Sequence, residues 1–193
     1  MRALGMDPVH DTQGCFRALV GAMSRPGTVT NAPVAPADHA VLATLVDHEV
    51  TCHTTDETIR TALANEGRFE PAAPAAADIV HAPTPTEGYA AEMERGTLKE
   101  PSDGATVVYR VDALTTEDAT DAGTDATDAD TTRCRLRGPG VPGERTLAIG
   151  GFPVEEAEAL AAAQSSYPRG IDAILTTGDR IAAIPRSTEL EVC

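Results

Sequence analysis

No tryptophan occurs in this 193-residue chain, and it has only three phenylalanines and three tyrosines. That scarcity of large rings is one of several compositional signs that read together as adaptation to high internal salt. Lysine is almost missing too: Lys99 is the one lysine, and every other basic residue is arginine. A Schiff-base enzyme needs a lysine in an enclosed site, whereas Lys99 follows Gly96-Thr97 in a polar loop and reads as solvated. Cations of both kinds number 15 against 30 Asp and Glu, a formal net charge of -15. Such a surface repels phosphate backbones and anionic lipid, which excludes sequence-independent nucleic-acid binding. Acid excess with almost no lysine and many Thr, Ala and Asp also reads as adaptation to high internal salt, where counterions screen the repulsion.

Other absences narrow the chemistry. No apolar run approaches the roughly 20 residues that span a bilayer, and the N-terminus lacks the basic, apolar, small-residue order of a signal peptide, so a soluble cytoplasmic protein is expected. The four cysteines, Cys15, Cys52, Cys134 and Cys193, form no Cys-x-x-Cys pair and read as reduced thiols. No Gly-x-x-x-x-Gly-Lys-Ser/Thr loop is present for a nucleotide, and Ser24 does not sit in a Gly-x-Ser-x-Gly elbow. His48, Cys52 and His53 lie close in sequence, but a strand through 49–53 points Cys52 and His53 to opposite faces, so no metal is expected. Nothing calls for a cofactor.

What is present is clearest near the end of the chain. Ile171 to Thr176 and Arg180 to Ile184 flank Thr177-Gly178-Asp179 and predict a hairpin. With almost no polar alternation in either run, both faces must be covered by other elements. Upstream, Phe16, Leu19, Val20 and Met23 supply the apolar face of a first helix capped by Asp11 and stopped at Ser24-Arg25-Pro26-Gly27. A short strand at 28–30, a helix capped by Asp38, a strand at 49–53 and a helix from Thr55 follow. Asp78 to His81 predicts a strand and Thr86 to Arg95 a helix ended by Gly96. Ala105 to Val111 predicts a strand, with Arg133 to Arg137 as its antiparallel partner across a long loop. That loop, Asp112 to Thr132, carries Glu117, Asp118, Asp121, Asp125, Asp128 and Asp130, holds too little apolar surface to fold alone, and is expected to be mobile. It lacks the Asp-x-Asp-x-Asp-Gly order of a calcium loop. A helix beginning at Pro153 leads into the hairpin. The sum is a single domain over 1–193, a three-layer α/β/α sandwich on a mixed sheet.

Few polar residues stand where apolar ones are expected. Asp172 opens the first hairpin strand and Arg186 follows the second, so the two are neighbours able to form a carboxylate–guanidinium pair, either as a structural lock or as part of a ligand site. Arg17, Ser24 and Arg25 on the first helix can read an anion or a partner, and capping with solvation accounts for them equally. A stand-alone enzyme holding a phosphate-like anion with Arg17, Arg25 or Arg186 is the alternative that these residues keep open.

Several segments together resemble one family: Phe16-Arg17 through Met23-Ser24-Arg25-Pro26-Gly27, Gly96-Thr97, Glu100-Pro101 to Gly104-Ala105, Leu136-Arg137-Gly138-Pro139-Gly140-Val141, Pro168-Arg169-Gly170-Ile171-Asp172, Ala183-Ile184-Pro185-Arg186-Ser187-Thr188 and Glu191-Val192-Cys193. In order, and over nearly the whole chain, they look like the PhnH subunit of the carbon-phosphorus lyase system of phosphonate metabolism. The resemblance implies a subunit without its own catalytic residue. It would work with PhnG, PhnI and PhnL to transfer the ribose triphosphate of ATP to a phosphonate (α-D-ribose 1-methylphosphonate 5-triphosphate synthase), with PhnJ acting later. The apolar hairpin at the end of the chain and the lack of a catalytic constellation lead to the same role: a subunit that docks through a face including one edge of the sheet and, in isolation, pairs with itself as a homodimer. The resemblance also implies a fold similar to that of pyridoxal-phosphate transferases but lacking the cofactor lysine. The acidity and the length of the 112–132 loop depart from the family pattern and fit a salt-adapted relative.

Overall fold

Asp172–Thr177 and Arg180–Ile184 pair antiparallel with Ile181 opposite Thr176 and Ile184 opposite Ala173, as the apolar pattern predicts. They are strands β9 and β10 of a computed structural model that describes residues 3–86, 88–116 and 130–193. The remaining strands are β1 (Thr30–Asn31), β2 (Thr51–His53), β3 (Glu70–Pro71), β4 (Ile79–Ala82), β5 (Thr106–Arg110), β6 (Ala113–Thr116), β7 (Thr131–Arg137), β8 (Arg145–Gly150) and β11 (Glu189–Val192). The helices are α1 (His10–Ser24), α2 (Ala37–Leu45), α3 (Glu57–Asn65), α4 (Tyr89–Glu92) and α5 (Val154–Gln164).

The main sheet has seven strands in the order β1-β10-β9-β5-β4-β2-β3. From β9 to β3 the neighbours run parallel, while β10 is antiparallel to both β9 and β1. Its central strands alternate their side chains between two cores. Val80, Ala82, Val107, Tyr109, Ala173, Leu175, Ala182 and Ile184 face one, with Leu160 of α5 and Ala90 of α4. Ile79, Val108, Ile174, Ile181 and Ala183 face the other, with Leu19 of α1, Leu42 of α2 and Ile59 of α3. Both faces of the hairpin are therefore covered, and the mixed α/β class holds.

A second sheet, antiparallel and four-stranded in the order β11-β7-β8-β6, shares the first of these cores through Leu114, Cys134, Leu136, Leu147 and Ile149. It overturns the pairing expected between 105–111 and 133–137. β5 is flanked by β4 and β9, and its run Val107, Val108 and Tyr109 is buried on both faces, as a central parallel strand requires. β7 instead buries Thr132, Cys134 and Leu136 and turns Arg133 and Arg137 outward, the alternation of a sheet with one wet face. Within the expected mobile loop, Ala113–Thr116 is strand β6; Glu117, Asp118, Asp121, Asp125 and Asp128 lie outside the described residues.

Three helix expectations are corrected as well. α1 buries Cys15, Leu19 and Ala22 and leaves Phe16 and Val20 on its outer side. Small Cys15 and Ala22 let its backbone approach α2 and β10. Its first turn is capped from Asp7, whose Oδ1 accepts from the backbone N–H of Val9 and His10, while Asp11 accepts from Asp7 N–H. α2 begins after Pro36, with Asp38 inside its first turn and buried rather than capping it. The helix expected over 86–95 shortens to the four residues of α4.

Candidate functional site

The connections that leave β2 and β4 define a crevice. β2 leads into α3, which packs on the face of Ile59 and Leu63, whereas its neighbour β4 leads into α4, whose Ala90 belongs to the opposite core. Adjacent parallel strands whose C-terminal connections leave on opposite faces form the switch point at which open α/β sheets hold ligands. Six polar side chains converge there: Asp38 and His39 from the first turn of α2, Thr54 after β2, Asp56 at the N-cap of α3, His81 in β4 and Arg110 at the end of β5.

Five of them close a ring. The Asp56 N–H donates to Thr54 Oγ1 at 3.1 Å, Thr54 Oγ1 lies 2.8 Å from His81 Nδ1, and His81 Nε2 lies 3.2 Å from Asp38 Oδ2. An ionised carboxylate only accepts, so Nε2–H donates to Asp38 and Nδ1 accepts from the Thr54 hydroxyl. Arg110 Nε donates to Asp38 Oδ2 at 2.6 Å, and its Nη2, ion-paired with the same oxygen, donates to Asp56 Oδ2 at 3.1 Å. Asp56 Oδ1 accepts from Thr58 N–H and Ile59 N–H, which caps α3. Burial of Asp38 opposes ionisation, but the hydrogen bond from His81 and the Arg110 guanidinium outweigh it and hold its pKa at about 2. His39 Nε2, 3.5 Å from Arg110 Nη2 and 4.0 Å from Asp56, has its pKa lowered by burial, which outweighs the pull of Asp38 and Asp56.

Each member of the ring is bonded to another member. Thr54 is 5% exposed, and its hydroxyl is committed to His81. The part open to solvent is Arg110, whose side chain is 37% exposed and already engaged by two carboxylates.

The residues singled out in the sequence fall elsewhere and do not form one site. Arg186 and Asp172 do pair: Nε donates to Oδ2 at 3.0 Å, Nη2 to the same oxygen at 2.5 Å, and the Arg186 N–H to Oδ1 at 2.7 Å. Two more guanidinium hydrogens go to the carbonyls of Gly104, at 3.1 Å, and Pro101. Gly104 is glycine because a Cβ there would lie 2.2 Å from the Gly170 carbonyl oxygen. Thus segments 96–104, 168–172 and 183–188 meet around one guanidinium. Ser24 Oγ and Arg25 Nε both donate to the Gly21 carbonyl in the last turn of α1. Against that turn sits Gly140, at φ +80°, where a Cβ would meet the Ser24 carbonyl oxygen at 2.4 Å. Arg17 is exposed and, among the described residues, makes no hydrogen bond or ion pair. Ser24 and Asp172 share only the lining of a groove of about 440 Å³ beside α1.

His48 is exposed, Cys52 is buried and His53 Nδ1 lies 3.1 Å from the Ala72 carbonyl oxygen. No group of three or more His, Cys, Asp or Glu side chains that could hold a metal is found among the described residues. The switch-point ring was missed from sequence, although His81 within Ile79–Ala82 and Arg110 at the end of Val107-Val108-Tyr109 are polar residues in apolar runs. By sequence alone, Asp38 reads as a helix cap.

The fold and these charged groups, closed upon one another, define an α/β domain with no nucleophile–base pair open to solvent among the described residues. The chain belongs to the PhnH family: the family model described as "Bacterial phosphonate metabolism protein (PhnH)" matches residues 5–191. It is 28% identical over 201 residues to "Alpha-D-ribose 1-methylphosphonate 5-triphosphate synthase subunit PhnH" of Rhizobium meliloti (strain 1021), covering 96% of this chain and 92% of that protein. A "Putative C-P lyase subunit protein HtxG" of Stutzerimonas stutzeri is 29% identical over 97 residues, 50% of this chain and 43% of that protein.

Proposed function

We propose that this chain is a subunit of the carbon-phosphorus lyase assembly, acting in the transfer of the ribose triphosphate of ATP to a phosphonate. The observation that carries this reading is the family match from residue 5 to 191, with a relative named as the PhnH subunit of that synthase aligned over 96% of the chain. The switch-point ring supports a role exercised within an assembly, since its groups bond to each other and none is poised to attack a substrate. Partners are homologues of PhnG, PhnI, PhnL and PhnJ, and the setting is cytoplasmic. No helix among the described residues is long and apolar enough to cross a membrane.

Reconstitution tests the proposal. Purified PhnG, PhnI and PhnL homologues should form ribose methylphosphonate triphosphate from ATP and methylphosphonate only when this chain is added, and the chain alone should form none. Turnover by the isolated chain, or undiminished turnover without it, would overturn the reading. We also take the fold to be related to that of pyridoxal-phosphate transferases without their lysine. Lys99 is exposed in the bend between α4 and Pro101, so adding pyridoxal phosphate should leave the cofactor's absorption spectrum unchanged.

A further inference from the structure

On the outer side of α1, Gln13, Phe16, Arg17, Val20 and Ser24 recur at the spacing of one helical face, and all five are exposed. Solvent-facing stripes are normally polar, yet Phe16 is 54% and Val20 50% exposed, in a chain with only three phenylalanines. They form one wall of the groove of about 440 Å³, which is also lined by apolar Leu19, Met23, Leu45 and Ile174 and by polar Thr106 and Asp172. The inner side of α1 already has its partners in α2 and β10, and among the described residues the outer apolar pair belongs to neither core.

Charge says what fits there. From Thr12 to Ala37 the sequence contains no Asp or Glu, and its charged side chains, Arg17 and Arg25, are both exposed. Asp172, which lines the groove, is paired with Arg186. Arg145, whose Nη1 donates to the Pro26 carbonyl at 2.8 Å, adds a further cation beyond the end of α1. In a chain of net charge -15, the α1 wall of this groove is free of acid and carries two exposed arginines.

We propose that the α1 groove docks a segment of another protein that carries apolar side chains flanked by Asp or Glu. The proposal rests on the assembly role given above and names the face that serves it. A second copy is the poorer occupant, because a two-fold contact through this face would set Arg17 and Arg25 against their own counterparts.

The test measures binding of purified PhnG, PhnI, PhnJ and PhnL homologues to the immobilised full chain at low and high salt. The chains compared are wild type, Phe16→Ser, Arg17→Glu and, as a control at another exposed apolar position, Leu98→Ser. At least one homologue should bind wild type, lose about tenfold or more in affinity with either α1 variant, weaken with salt, and bind Leu98→Ser unchanged. Thermal melts of the α1 variants should match wild type, since both residues are exposed. If wild type binds a homologue and both α1 variants bind it equally well, this inference falls while the assembly role stands. If wild type binds none, both fall. An effect of Phe16→Ser without any effect of Arg17→Glu or salt overturns the acidic occupant. A dimer of the isolated chain that Phe16→Ser dissociates assigns the groove to a second copy instead.

Discussion

Arg186 donates to the Asp172 carboxylate and to two backbone carbonyls of the 96–104 segment, tying that segment to 168–172. Asp172→Ala strips the counter-ion but leaves the guanidinium in place. With the two side chains 16% and 17% exposed, water relieves part of the penalty, and the loss should be about 2 kcal/mol in urea unfolding, below the range for a fully buried pair. Gly104→Ala should cost more, about 3 kcal/mol, because the new methyl meets backbone that has no rotamer to yield. Asp38 gives a pH signature. Its carboxyl titrates at about 2 when folded against 3.8 for the free side chain, so the stability it contributes is complete above about pH 4 and disappears as pH falls through about 2. The advantage of wild type over Asp38→Asn, followed by denaturant titrations at successive pH values, should shrink across that interval.

At the scale of elements, the orientation of α1 separates two readings of the same spacing. Phe16, Leu19, Val20 and Met23 satisfy helical periodicity as well as Cys15, Leu19 and Ala22 do, and the fold selects the set with small residues because α1 lies against α2 and β10. Leu19→Ala should therefore cost about 3 kcal/mol, while Phe16→Ala should change unfolding by less than about 0.5 kcal/mol. The β9–β10 hairpin was legible because a continuous apolar run has no wet face to choose. β11 was not foreseen, although Glu189-Leu190-Glu191-Val192 alternates: its four residues gain meaning only from pairing with β7, which lies more than 50 positions earlier. The switch-point ring was illegible for a related reason. Asp38, Thr54, His81 and Arg110 come from four separate segments, and only the sheet order β5-β4-β2, with α2 above it, brings them together.

For the whole molecule, the imbalance of 30 acids over 15 bases is met by few local cations, and Arg135 and Arg137 are shared between Glu144 and Glu191. Self-repulsion on this scale opposes the folded state unless counterions screen it. We expect the melting temperature to rise between low and molar KCl, as salt adaptation requires; a flat or falling curve would refute it.

The four-stranded sheet contains a timing constraint. Arg110 ends β5, and the strand that covers its free edge begins only at Asp172, after β6, β7, β8 and α5 have been made. A nascent chain halted anywhere in that interval carries an apolar β5 open along one side, a template for aggregation. Translation must pass β9 before the central sheet can close.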